Sequence, residues 1–113
     1  MPDLSFLDQE VGLEYCAGDM DIYVEVLDGY LEEDKRSELD SFLAASDWPN
    51  YRIAVHAVKS TSLTIGATEL SEKAKALEMA AADGDGATVQ AGHAEMMAMY
   101  GDILDKIKAA LAE

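Results

Sequence analysis

The 113-residue chain carries 23 acidic residues against 8 basic ones, a formal net charge of -15, and is 50% hydrophobic with only two prolines. That length suits one domain, residues 1–113, and the apolar content argues for a folded globule rather than a disordered acidic tail. So acidic a surface repels nucleic acid and anionic membranes, whose recognition rests on lysine and arginine neutralising phosphates, and neither is expected as a partner.

The opening residues, MPDLSFLDQEV, place acids where a secretory signal needs a basic segment followed by a long apolar run, and no later stretch approaches membrane-spanning length. A cytoplasmic, soluble monomer is the expectation. Cys16 is the only cysteine, which excludes an intramolecular disulfide and a zinc site built on thiolates; its place near a turn fits a small buried hydrophobe.

Apolar residues recur at helical spacing along almost the whole chain, divided by short glycine, aspartate or proline signals. A short helical piece ends around GLEYCAGD. Asp19 then caps a helix with Tyr23, Leu27, Tyr30 and Leu31 on one stripe, continuing through Leu39, Phe42 and Leu43 until SDWPN stops it. A third helix runs from near Asn50 to near Gly66, and a fourth from about Thr68 to the turn DGDG. The last carries Val89, Met96, Met97, Tyr100, Ile103, Leu104, Ile107 and Leu111 on a broad apolar face. Each stripe needs the others to leave water, so the expected fold is all-α: an antiparallel four-helix bundle with a short N-terminal capping helix.

The stretch HAVKSTS, His56 to Ser62, holds one of only two histidines. At about 100° per residue, Tyr51, Val55, Val58, Ser62 and Ile65 share one sector, which faces the core, with Ala54 and Thr61 at its edge. His56 lies on the opposite side with Arg52, Lys59, Ser60 and Leu63, and is expected to face solvent. The span from Asn50 through Thr68 contains no aspartate or glutamate, so the local negative field has a gap around this imidazole. Arg52 stands one turn before it and Lys59 just under one turn after, where they could meet an anion on the ring. Ser60 and Ala67 are small and Leu63 is apolar, the composition of a flat docking face rather than a pocket, suited to a macromolecular substrate. Free imidazole titrates near physiological pH and is a competent nitrogen nucleophile. With no glycine-rich loop or paired carboxylates to take phosphate from a nucleotide, the site reads as a phosphoryl acceptor and donor rather than a kinase. His93, on the line Val89, His93, Met96, Tyr100, reads as packed against the core, and Met96, Met97 and Met99 as bundle filling and ordinary surface.

These residues resemble a known family, the histidine-containing phosphotransfer domains of multistep phosphorelays. GLEYCAGDMDIYVEVLDGYLEE is similar to the family's opening and first long helix, and HAVKSTSLTIGATELSEKAKALE to its central signature. The resemblance implies a phosphorylatable His56, the accompanying Lys59, a small residue at Ser60, a serine at Ser62 and the helix-ending Gly66. Ala67, Leu70 and the pair Leu77–Glu78 follow, and DGD at Asp83 to Asp85 resembles the turn before the last helix. Many members carry glycine where Ser60 stands; serine is still small. The implied activity is reversible transfer between receiver-domain aspartates, with partners among the receivers of hybrid sensor kinases and response regulators. Partner docking would involve Arg52, Ser60, Leu63, Gly66 and Ala67. No intrinsic cofactor is implied, Mg²⁺ being expected in the receiver.

The same bundle could instead serve as a phosphorylation-silent module that docks receiver or other helical domains, and phosphate on His56 separates the two readings. An acyl carrier, suggested by size, charge and LDSFL, fits poorly because Ser41 sits inside a periodic helix rather than at a helix start.

Overall fold

A computed structural model of the chain describes residues 4–112. Helices account for nearly all of it: α1 (Gln9–Tyr15), α2 (Met20–Glu32), α3 (Arg36–Ala44), α4 (Trp48–Thr64), α5 (Thr68–Ala82) and α6 (Gly86–Leu111). Four of them start on an aspartate whose carboxylate accepts a backbone N–H of the first turn: Asp8, Asp19, Asp47 and Asp85. The helices pack as a bundle 42 Å long, with α4 and α5 the most closely associated pair and α6 laid against α5.

The core is the one the apolar stripes describe. Tyr23 and Leu27 of α2, Leu39 of α3, Tyr51 and Val55 of α4, and Val89, Met96 and Ile107 of α6 are fully buried. Cys16 and His93 are buried too, at 4% and 6% exposure. His93 ties three helices together: the Tyr51 hydroxyl lies 2.8 Å from its Nδ1, and Asp40 Oδ1 lies 2.8 Å from its Nε2. A carboxylate only accepts, so Nε2 carries a proton; in the neutral ring Nδ1 then receives the Tyr51 O–H, and both ring nitrogens have a partner. Burial is also the chief reason the Tyr51 phenol titrates well above its ordinary range.

One expected element is corrected. The helix anticipated to run unbroken from Asp19 through Leu43 is two helices, separated between Glu32 and Arg36. In a continuous helix the amides of Lys35 and Arg36 would bond the carbonyls of Leu31 and Glu32. Instead the Lys35 N–H donates to the Tyr100 hydroxyl of α6 at 3.0 Å, and the Arg36 N–H to Asp34 Oδ1 at 3.0 Å. The Asp34 carboxylate also takes the Arg36 guanidinium, at 2.7 Å from Nη2, and fixes the corner.

The α4–α5 connection is short and sharply defined. Gly66 has φ +87, and the Ala67 N–H bonds back to the Ser62 carbonyl at 2.8 Å, closing the end of α4. The segment before α1 covers this turn: Leu4 and Leu7 are buried, and the Asp8 N–H donates to the Gly66 carbonyl at 2.8 Å. The N-terminal elements thus cap the end of the bundle where α4 meets α5. No helix among the described residues is long and apolar enough to cross a membrane.

Candidate functional site

His56 projects from the middle of α4 with 57% of its side chain exposed. The opposite face of the same helix holds it in register: Tyr51, Val55, Val58 and Ser62 are buried, and the Tyr30 hydroxyl meets Ser62 Oγ at 2.8 Å. The α4 backbone beneath the imidazole is therefore rigid, and the ring's freedom is set by its own contacts.

Those contacts come from α5. Glu78 reaches across the hairpin and divides its carboxylate between two residues of α4: Oε2 bonds His56 Nδ1, and Oε1 accepts from Lys59 Nζ at 2.6 Å. Ser71 Oγ donates to the Lys59 carbonyl at 2.9 Å and pins the two helices one step further along. The expectation of an acid-free setting for His56 is corrected here. It holds along α4, but the packing of α5 puts a carboxylate directly on the ring. Burial alone would raise the Glu78 carboxyl; the hydrogen bonds from Lys59 and His56 outweigh it and hold the group below the ordinary carboxylate range. An ionised carboxylate can only accept, so Nδ1 carries its proton toward Glu78, and in the neutral imidazole with that tautomer the lone pair is on Nε2. No described residue bonds Nε2.

The remaining sequence candidates separate into two groups. Arg52 and Ser60 are exposed, and Leu63 retains 38% exposure although it is apolar. Gly66 and Ala67 are buried at the turn after α4, where the Asp8 N–H bonds the Gly66 carbonyl, and they line a cavity with Phe6, Asp8 and Thr68 away from the exposed side chains around His56. Two apolar residues not singled out from the sequence stand open nearby: Ile53, 68% exposed one turn before His56, and Met79, 59% exposed beside Glu78. Arg52, Ile53, His56, Ser60 and Leu63 all lie within about 60° of one another's mean direction on the α4 wheel, so they form one shallow face.

The Glu78 bridge predicts a pH-dependent contribution to stability. A carboxyl depressed on folding stabilises the native state above its unfolded pKa, and that contribution is lost as pH falls through the folded value. At neutral pH, Glu78→Gln is expected to lower the unfolding free energy by about 1–3 kcal/mol. The gap between parent and variant should close as pH falls below the ordinary carboxylate range. Urea titrations at a series of pH values test this; a gap independent of pH would remove the ionised carboxylate from the account.

An exposed imidazole with one nitrogen anchored to a carboxylate and the other without a partner among the described residues, on a shallow face with apolar neighbours, suits transfer of a group to and from a macromolecule. The comparison with protein families agrees with that geometry: the model of the Hpt domain matches residues 14–113. No curated protein and no solved structure matches the chain. With all but the first thirteen residues covered by one family, and with a helical bundle beneath the match, the chain belongs to the Hpt domain family, whose members carry out histidine phosphotransfer in phosphorelays.

Proposed function

We propose that His56 is the phosphoryl carrier, taking the group from an aspartyl phosphate on one receiver domain and passing it to the aspartate of another. The observation that supports this reading is the Glu78 bridge, which occupies Nδ1 of a side chain that is 57% exposed and leaves Nε2 without a partner among the described residues, available as the nucleophile. In the step, the Nε2 lone pair attacks phosphorus, the bond between phosphorus and the aspartyl oxygen breaks, and the aspartate leaves as a carboxylate. The imidazole becomes an N-phosphoryl imidazolium whose positive charge faces the Glu78 carboxylate through Nδ1–H. No proton has to be lost, which makes the return transfer the same path reversed. Catalysis is largely positioning of an in-line transfer, with the receiver supplying its own acidic pocket and Mg²⁺.

Lys59 enters this reading through Glu78. By holding Oε1 it fixes the carboxylate that fixes the ring, and it is a positioning residue in the uncomplexed domain. Exposed Ile53 and Leu63 supply apolar area for a receiver to bury, and Ser60 is short enough to let a helix approach the imidazole.

Mixing the protein with a phosphorylated receiver is expected to give an acid-labile, alkali-stable phosphoprotein carrying one group, discharged again by a second, unphosphorylated receiver. A stable, folded protein that takes no phosphoryl group from any receiver, while still binding one in calorimetry, would support the phosphorylation-silent docking module instead.

A further inference from the structure

Resting on the reading that His56 Nε2 carries the phosphoryl group, we infer that Arg52 is the residue whose charge meets that group, while Lys59 serves as the anchor of Glu78. Both cations lie on the outward side of α4 within a turn of the imidazole, yet their surroundings differ. Lys59 is committed: Nζ sits 2.6 Å from Glu78 Oε1, and its side chain is only 27% exposed. Drawing it toward a phosphoryl group would leave the Glu78 carboxylate with only the imidazole to balance it, on the nitrogen opposite the incoming anion.

Arg52 is exposed and makes no ion pair or hydrogen bond among the described residues. In this chain of 23 acidic residues to 8 basic ones the other arginine, Arg36, is gripped by Asp34, whereas Arg52, like Lys75 and Lys108, has no such partner among the described residues. The cause is local. The carboxylate of Asp47, which starts α4, is taken up by Asn50, whose Nδ2 lies 2.7 Å from Oδ2. From Asn50 through Thr68 no further acid occurs to attract the guanidinium.

Arg52 stands one turn before His56 on the same face of α4, about 5–6 Å away at Cβ, within reach of a long side chain that has no other partner to leave. A guanidinium there can offer two parallel N–H donors to two phosphoryl oxygens, a geometry that an ammonium cannot reproduce. The charge that builds on the equatorial oxygens during transfer would be met by a group that gives up no partner to reach it.

The test uses phosphoramidate, which needs no protein partner: its phosphoryl group passes to Nε2 as ammonia leaves. In Arg52→Gln, labelling of His56 is expected to be roughly three- to tenfold slower than in the parent. In phosphorus NMR, the midpoint at which the phosphoryl oxygens lose their last proton should move upward, because the dianion has lost a cation. Arg52→Lys should restore the midpoint in part, and Lys59→Gln should slow labelling while leaving the midpoint close to the parent value. A merely structural role for Arg52 would not move that midpoint. Parental labelling rate and parental midpoint in Arg52→Gln, or a midpoint shifted by Lys59→Gln alone, would overturn the inference and leave His56 as carrier. A parent protein that takes no label on His56 from phosphoramidate or from a receiver would overturn the reading beneath it as well.

Discussion

His56→Gln is expected to reduce phosphoryl uptake from a phosphorylated receiver to background while shifting the unfolding free energy by no more than about 0.5 kcal/mol. The two halves of this expectation have separate causes. An amide nitrogen shares its lone pair with the carbonyl and is no nucleophile, so the loss of uptake is chemical rather than steric. The side chain it replaces is 57% exposed and outside the core, and a glutamine N–H can still donate to Glu78. The second histidine cannot substitute. His93 is 6% exposed, and both of its ring nitrogens are occupied by Tyr51 and Asp40. Scintillation counting and thermal melts of parent and variant measure the two halves. Uptake at the parental level would remove His56 from the chemistry.

Gly66→Ala is expected to be among the most damaging single-methyl additions in the molecule, costing about 3–5 kcal/mol of the roughly 5–15 kcal/mol by which a domain of this kind is stable. Two terms add. The backbone at Gly66 has φ +87, a conformation that an L side chain enters only with strain. A Cβ built there would also fall 2.1 Å from the Asp8 carbonyl oxygen and 2.8 Å from its carbon. The obstacle is backbone, not the tip of a side chain, so relief requires lifting the segment before α1 and losing the Asp8 N–H to Gly66 carbonyl bond. Gly84 provides the control. Its φ is +71, but nothing lies within 4 Å of an added Cβ, so Gly84→Ala should cost only about 1 kcal/mol. Urea denaturation of both variants decides the matter; equal losses would mean that the Asp8 contact contributes nothing.

The contrast between those glycines also explains what the sequence could and could not disclose. Periodicity located α4, α5 and α6 and their buried faces, because a residue's face depends on its neighbours three and four positions away. The same counting put His56 outward and His93 inward. The α2–α3 corner escaped it because one of the groups that makes the corner, the Tyr100 hydroxyl, comes from 65 residues further along the chain. The local part, Asp34 taking the Arg36 N–H, is a contact that an aspartate can make but need not, so the sequence does not by itself mark a break there. The burial of Gly66 escaped the counting for a similar reason: the Asp8 segment lies against that turn, which no pattern within α4 foretells. Glu78 is the instructive case. The pair Leu77–Glu78 was recognisable only as part of a family pattern, although a physical signal existed. His56 and Glu78 stand ten residues before and twelve after Gly66, and a hairpin folded at that glycine brings them level. Leu77 faces the core at 4% exposure, which turns the next residue to the flank of α5, toward α4.

In the proposed transfer, one ring nitrogen of His56 carries the phosphoryl group while the other stays bound to Glu78. Phosphorus and nitrogen NMR of the nitrogen-labelled, phosphorylated protein measures it directly. The expected spectrum shows a single phosphoryl group coupled through one bond to Nε2 of His56, with the Nδ1 proton still present and hydrogen-bonded. A phosphoryl group on Nδ1 of His56, on His93, or on a side-chain oxygen would contradict it.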